Sequence, residues 1–523
     1  MIEPERCIPF GRRAFLLTHT NPLAVMHHIQ QANLAGVLDV IAAQDCVLVR
    51  VNHATAAMSA QLMEMLDIVD DADFDDAARC DERTQLDIEV VYGAADLDEV
   101  AARCAMSVER VIAWHSQAEY RVAFCGFAPG FGYLTGLPAE LHLPRRDLPR
   151  THVPAGSVAI AAAYSAVYPR ESPGGWHLIG HTRAILFDVD NDPPSLIEPG
   201  LHVRFTPVRE AIPLGSTQRD TNTGPEIAER KGVEVVQPGM HTIVIDHGRH
   251  GWGSIAVGST GPWDSAAFAT ATRLVGNTGT AAGLEIVGSG LHLHAHRSMT
   301  VAITGAPGPI WIRSAESERL LDPGAPQHLS PGEELLLGPT YDGLRRWLAI
   351  RGGLDVPATL GSRSTDTLSG LGPPQLRAGD DLPIGIAYDM QPVVDYLPTS
   401  LDEGRGDQTL TVPVYPGPDA GRIADVGVLY RQDYTVTPQS NRVGIRLHGD
   451  PLEAPIDASL HPSYPMVCGA IQLPPNGQPV VLGPDHPVTG GYPVIAVLQD
   501  PAGAAQWPPG AKIRFREISS VLL

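Results

Sequence analysis

Between Phe124 and Thr182, three loops rich in glycine, proline and aromatic residues leave room only for short elements of secondary structure. They read Phe-Cys-Gly-Phe-Ala-Pro-Gly-Phe-Gly-Tyr-Leu (124–134), Val-Pro-Ala-Gly-Ser-Val-Ala-Ile (153–160) and Ser-Pro-Gly-Gly-Trp-His-Leu-Ile-Gly-His-Thr (172–182). Glycine admits positive φ and a close approach of backbone, whereas proline fixes φ and removes a donor. Two readings follow: tight turns of a β-barrel, and rigid loops that offer backbone N–H groups beside aromatic walls. Three such loops in succession favour a site. With 53 glycines and 47 prolines in 523 residues and no collagen period, the chain reads as many short strands joined by turns.

That length predicts about three or four domains. A net charge of −22 argues against a nucleic-acid or anionic-membrane surface. Lysine occurs only at Lys231 and Lys512, which removes a P-loop and a Schiff-base lysine and leaves arginine to hold anions. The six cysteines (7, 46, 80, 104, 125 and 468) form no Cys-x-x-Cys pair, so neither a zinc ribbon nor a disulfide framework is indicated. A start without basic and apolar signal regions, and no membrane-length apolar run, give the expectation of a cytoplasmic protein.

Residues 1–115 read as a small α/β domain. Asn21-Pro22 marks a helix start, with Leu23, Met26, Ile29 and Leu34 at helical spacing. Strands are predicted over 37–41, 47–51 and 86–92, and a helix over 54–66. The acidic run 67–76 reads as a solvated loop, and Asp96 and Ser107 as caps of two further helices. Residues 116–208 then read as short strands. The linker is placed at 209–231, within a stretch of low apolar content from Thr206 to Gly232, and strands resume over 232–523. Leu291 to His296 alternates, placing His292, His294 and His296 on one strand face; a solvated face is favoured over a metal site.

The first part resembles allophanate hydrolase subunit 1, also known as the B component of 5-oxoprolinase. The resemblance rests on Tyr92-Gly93, Asp96-Leu97, His115, Gly126 to Phe131, Tyr133-Leu134, Pro149-Arg150, Val153 to Val158 and Ser172 to Trp176. The second part resembles allophanate hydrolase subunit 2, the C component of 5-oxoprolinase. Its positions include Asp246-x-Gly248-Arg249-x-Gly251, Gly261-x-x-Asp264, Leu284-Glu285, Arg351-Gly352-Gly353, Gly361 to Asp366, Gly469 to Gln472 and Thr489 to Tyr492. A similar pair forms the carboxyltransferase region of urea carboxylase and urea amidolyase. The resemblance implies a mainly β protein with an α+β N-terminal part and cyclophilin-like β-barrels in both halves. Three departures fall near the matched loops: His181 in place of the usual arginine, Asn441-Arg442-Val443-Gly444, and Asp485 to Thr489.

The implied function is that of fused B and C components of an ATP-dependent 5-oxoprolinase, which opens a lactam with a separate A-type partner. The cofactor expectation is ATP with Mg. The alternatives are a carboxyltransferase module supplied with biotin in trans, and a non-catalytic protein that binds a histidine kinase. A possible homo-oligomer is also kept open. An amidase-type Ser-Ser-Lys arrangement is ruled out by the two lysine positions. Candidate groups follow from the matched motifs. Gly126, Phe127, Pro129, Gly130, Phe131, Ser157, Gly174, Gly175 and Trp176 would line one pocket, and Thr489, Gly490, Gly491 and Tyr492 a second loop. Arg150, Arg249 and Arg363 would hold carboxylate or phosphate, with structural salt bridges as the alternative. His115, Asp246, Asp264 and Asp485 would move protons, although His115 could equally close a helix and Asp264 is favoured as a helix cap. No metal ligand is assigned.

Overall fold

The computed structural model describes residues 6–71, 85–146, 148–211, 232–321, 324–386, 391, 393, 408–453 and 463–519. It begins with a four-stranded sheet, Cys7–Pro9 (β1), Ala14–Thr18 (β2), Val37–Ala42 (β3) and Cys46–Val51 (β4), in the order β1-β2-β4-β3. Helices Pro22–Ala32 (α1) and Ala56–Asp71 (α2) accompany it. Asn21 caps α1 by accepting from Ala24 N, and Leu23, Met26 and Ile29 are buried. Leu34 lies beyond the helix, which stops at a left-handed Asn33 with φ 45°. The acidic run does not start a loop at 67. Asp67 and Asp70 belong to α2 and lie 2.8 and 2.5 Å from Arg6, so neutralised carboxylates extend the helix. Residues 72–76 of that run fall outside the described residues.

Next comes a closed barrel of Gln85–Tyr92 (β5), Tyr120–Cys125 (β6), Gly132–Thr135 (β7), Ser157–Ala161 (β9), Tyr164–Val167 (β10), His177–His181 (β12) and His202–Pro207 (β13). Arg150–Val153 (β8) pairs with Ser172–Gly174 (β11) as a separate two-stranded flap, and Leu97–Arg103 (α3) and Val108–Gln117 (α4) connect β5 to β6. From sequence, 86–92 belongs to the small α/β domain. The structure instead makes β5 a barrel strand, paired in parallel with β13 and burying Ile88 and Val90 in the barrel core. Ser107 caps α4 through Arg110 N, but Asp96 makes no cap bond because its carboxylate is engaged elsewhere. Most of the expected linker, 212–231, lies outside the described residues, while Thr206 and Pro207 end β13.

The third unit is two facing sheets. One contains Val233–Pro238 (β14), Leu291–Ala295 (β17), Ile310–Arg313 (β19), Glu318–Leu320 (β20), Glu334–Leu337 (β22) and Asp381–Leu382 (β24). The other contains His241–Ile245 (β15), Gly283–Val287 (β16), Met299–Gly305 (β18), Gln327–Leu329 (β21) and Arg345–Ile350 (β23), with helix Ser265–Leu274 (α5) packed on β18 and β23. His292 of β17 and His296 just past its end have acidic neighbours, which their spacing did not reveal: His292 lies 3.1 Å from Glu334, and His296 3.3 Å from Glu234. Among the described residues no group of three His, Cys, Asp or Glu side chains is placed to hold a metal.

A second closed barrel follows: Leu410–Pro416 (β25), Tyr434–Val436 (β26), Gly444–His448 (β27), Ala470–Gln472 (β29), Val480–Leu482 (β30), Val494–Leu498 (β32) and Lys512–Glu517 (β33). Its flap pairs Tyr464–Pro465 (β28) with Thr489–Gly490 (β31), and a short helix, Val428–Arg431 (α6), precedes β26. The two barrels share one topology. Read from the parallel pair, the first runs β13-β5-β12-β9-β10-β7-β6 and the second β33-β25-β32-β29-β30-β27-β26. The carboxyl-terminal half is therefore a two-sheet unit followed by a barrel, where a single barrel-type domain was expected from sequence.

One apolar core joins the ends of the molecule. Phe10, Leu16 and Leu48 of the first sheet, Phe131, Tyr133 and Trp176 of the first barrel, and Tyr464, Met466 and Val497 of the second barrel all contribute to it. Burial of so many large side chains is the dominant favourable contribution holding the halves together.

Candidate functional site

The loops singled out in the two halves meet at this seam. Phe127 N donates to Thr489 Oγ1 at 3.2 Å, and a Cβ on Gly126 would lie 1.9 Å from the same oxygen. Only glycine fits there. Gly130, with φ 77°, sends its N–H to Ile255 O at 3.3 Å, while Gly126 N and Phe131 N bond within the loop. The expected row of free backbone donors is thus already satisfied. Pro129 is buried with the loop, and Phe127 takes a left-handed φ of 66°, a conformation that is uncommon outside glycine.

The aromatic wall is closed as well. Phe131 makes edge-on contacts with Tyr133, Tyr168 and Trp176 at centroid distances of 5.2, 5.3 and 5.6 Å. Gly174 is demanded by packing, since a Cβ would meet the Tyr168 hydroxyl at 2.2 Å, and Gly175 O accepts from Arg146 N. Ser157 Oγ donates to Pro154 O inside its turn. Gly490 pairs with Tyr464 across the second flap, Gly491 lies near Ser463 and Arg145, and Tyr492 is 43% exposed. These residues build the join between halves, where an open pocket was expected.

His115 and Arg150 are likewise committed. His115 is fully buried: Nδ1 lies 2.7 Å from Tyr92 Oη, Nε2 lies 2.8 Å from Ser165 Oγ, and the ring stacks on Phe205. Burial depresses its pKa to about 3, which suits a neutral core histidine and not a proton shuttle near neutrality. Arg150 grips Asp96 with Nη1 and Nη2 at 2.9 and 2.5 Å, and Leu178 N occupies the same carboxylate at 2.7 Å. Of the two roles open to Arg150, the structure shows the salt bridge.

In the other half the matched motifs converge. Asp246 Oδ1 accepts from Ser362 Oγ, Ser364 Oγ and Gly248 N, and its Oδ2 accepts from Arg363 N at 2.6 Å. Arg249 is 1% exposed; Nε donates to Thr359 O and Nη2 to Ser364 O, while its buried Nη1 has no hydrogen-bond partner. Asp264 accepts from Ala266 N and Ala267 N and caps α5, the role favoured from sequence. Asp485 is saturated. It accepts from Thr260 Oγ1, from Thr367 N and Oγ1, and twice from Arg442. Burial raises its pKa, but the Arg442 charge outweighs this and holds the carboxyl below its usual range. Asp485 is thus an ion-pair member rather than a group poised to exchange protons.

Sequence gives Arg442, Glu285 and Arg345 no role, although Glu285 stands in a matched motif and Arg442 in one of the departures. Arg442 Nη1 donates to Glu285 Oε1 at 2.6 Å and Nη2 to Gly261 O at 2.7 Å, in addition to the Asp485 pair. Glu285 also accepts from Trp263 N and Trp347 Nε1, and Arg345 stacks over the Trp263 ring at 4.2 Å. This buried network links the second barrel to the two-sheet unit. Aspartate and glutamate beside arginine were visible in sequence only as scattered letters.

The two-sheet unit also carries a cleft of about 400 Å³ lined by Asn277, Thr278, Thr280, Gly352, Gly353 and Arg363, among others. Arg363 Nε is bound to Val356 O, while Nη2 lies 3.5 Å from the half-exposed Asp355, a loose contact that a ligand anion could replace. Asn277 is held by Ile350 O and Gly352 N, which fixes the glycine wall. Of the sequence candidates, Arg363 alone among those lining this cleft retains a loosely engaged charged group.

Acid titration tests the buried groups. His115 and His486 have pKa values lowered by burial to about 3 and about 4, so the unfolded chain binds more protons below pH 6.5. Stability should fall as pH drops from 6.5 towards those values, with His115→Gln flattening part of the slope in urea titrations at pH 7 and pH 5. An unchanged pH slope in His115→Gln would contradict the assignment.

The chain matches two family models: carboxyltransferase domain, subdomain C and D, over residues 7–197, and carboxyltransferase domain, subdomain A and B, over residues 255–517. It is 52% identical over 130 residues to the B component of 5-oxoprolinase from Escherichia coli O157:H7, covering 24% of this chain and 60% of that relative. It is 33% identical over 298 residues to the C component of 5-oxoprolinase from Escherichia coli K12, covering 55% of this chain and 91% of that relative. Urea amidolyase of Lachancea kluyveri is 32% identical over 314 residues, 55% of this chain and 17% of that protein. The crystal structure of TTHA0988 superposes with a TM-score of 0.81 at 30% identity, covering 96% of this chain and 99% of that one. Homologues of the B and C components are thus fused here, and the chain belongs to the carboxyltransferase-domain family, its C and D subdomains preceding its A and B subdomains.

Proposed function

We propose that this chain is the fused B and C component of an ATP-dependent 5-oxoprolinase-type amidohydrolase, opening the lactam of 5-oxoproline to glutamate with a separate A-type partner. The supporting observation is the single core shared by the B-like and C-like halves, which makes one working body of two parts. A lactam resists water because resonance weakens its carbonyl as an electrophile. ATP would phosphorylate the amide oxygen with release of ADP; water would add to the activated carbon, the C–N bond would break to leave an acyl phosphate, and a second water would release glutamate and phosphate. This chain's contribution is to hold the substrate: Arg363 suits its carboxylate, and Asn277 and the Gly352-Gly353 wall shape a small, flat niche. In this reading magnesium arrives with the nucleotide, held by its phosphates and at most one or two protein carboxylates.

With an A-type partner present, Arg363→Ala should lower kcat/KM for 5-oxoproline by roughly 10–10², mostly through KM and without changing the fold, as loss of a charged hydrogen bond to a carboxylate does. A loss below about threefold would remove Arg363 from the site. The second reading is a carboxyltransferase acting on a urea-like nitrogen with biotin supplied in trans. The urea amidolyase likeness favours it, and a carboxybiotin assay with urea distinguishes the two.

A further inference from the structure

The shared barrel topology places two residues at equivalent positions. Three residues after β10 stands Arg170, in Val167-Tyr168-Pro169-Arg170; three residues after β30 stands Asp485, in Leu482-Gly483-Pro484-Asp485. Both reach the same loop of the two-sheet unit. Arg170 Nη2 donates to Leu368 O at 2.7 Å and Nη1 to Ser369 O at 2.8 Å. Asp485 Oδ2 accepts from Thr367 N at 3.1 Å and from Thr367 Oγ1 at 2.6 Å. A cation thus takes the carbonyls of the loop and an anion its N–H and hydroxyl, so the two barrels hold consecutive residues by opposite chemistry.

The loop itself is stiff. Asp366 accepts from Leu368 N, Ser369 N and Ser369 Oγ, and its backbone closes on Leu371 and Gly370. Its upstream end is the run Ser362-Arg363-Ser364, tied to Asp246 through both serine hydroxyls and Arg363 N. Residues 367–369 and Arg363 at the cleft are thus joined by a short bonded path.

We propose that Arg170 is a positioning residue through which the B-like barrel sets the Arg363 side of the cleft in the C-like half. In this proposal a cleft lined wholly by one half depends on the other through the two Arg170 bonds. Its catalytic consequence rests on the proposed 5-oxoprolinase reading, but its structural consequence does not.

The test compares the intact protein with Arg170→Ala and Arg170→Lys by hydrogen-exchange mass spectrometry. Arg170→Ala should speed exchange over residues 359–372 by about tenfold or more, with the first sheet unchanged, and Arg170→Lys should recover part of the protection. With an A-type partner, Arg170→Ala should raise KM for 5-oxoproline about tenfold and change kcat by less than about threefold. Unchanged exchange over 359–372, or faster exchange spread evenly over the first barrel, would overturn the clamp. If the wild type turns over no 5-oxoproline, the functional reading fails while the exchange comparison still decides the clamp.

Discussion

Arg442→Ala should destabilise the protein by about 3–5 kcal/mol, because it leaves two buried carboxylates without their cation. Asp485 and Glu285 are each 1% exposed, and Arg442 binds both. Burial alone works against charge on Arg442, yet the two carboxylates outweigh it and push its pKa up. Glu285 shows the same contest: burial raises its pKa, and Arg442 with Arg345 brings it below the usual value. Arg442→Lys should recover only part of the loss, since one ammonium cannot span Asp485, Glu285 and Gly261 O together. Because both carboxylates have depressed pKa values, their contribution is present above the ordinary carboxylate range and lost in acid. Urea unfolding at pH 7 measures the effect, and a change below about 1 kcal/mol would show the network to be dispensable.

Phe131→Ala should cost about 3–5 kcal/mol and also weaken the coupling between the halves. Phe131 is 2% exposed and sits where the first barrel, the first sheet and the second barrel share one core. Its removal leaves a cavity bordered by Tyr133, Tyr168 and Trp176, rings that meet it edge-on and are too constrained by one another to collapse. Calorimetry should show a lower midpoint and a splitting of one transition into two. A single transition with an unchanged midpoint would mean that the halves are held elsewhere.

Local features were readable from the chain where local physics decides them. Asn21, Ser107 and Asp264 cap helices because a short polar side chain beside a helix start has N–H groups within reach. Asp96 has the same local signature and a different role, for Arg150 and Leu178 N arrive from distant strands to occupy its carboxylate. The placement of β5 was missed for a similar reason: its partner β13 lies far along the chain, and parallel pairing leaves no turn to announce it.

The site divides along the same line. The glycine-rich loops were legible as special backbone, but Gly126 and Gly174 owe their small size to Thr489 and Tyr168, contacts that no spacing predicts. The aromatics beside them read equally well as a pocket wall or a packed seam, and tertiary contacts decide for the seam. Arg363 was identified by motif and lines the cleft, whereas Arg442 and Glu285 acquire meaning only when burial forces charges from remote strands together.

The most direct measurement is release of glutamate from 5-oxoproline by the intact chain, followed together with ATP consumption. It is run with and without an A-type partner already shown to work with its own B and C components. The proposed function predicts matched glutamate and ADP formation that requires both the partner and this chain. Absence of glutamate under conditions where the partner's own B and C components are active would contradict it.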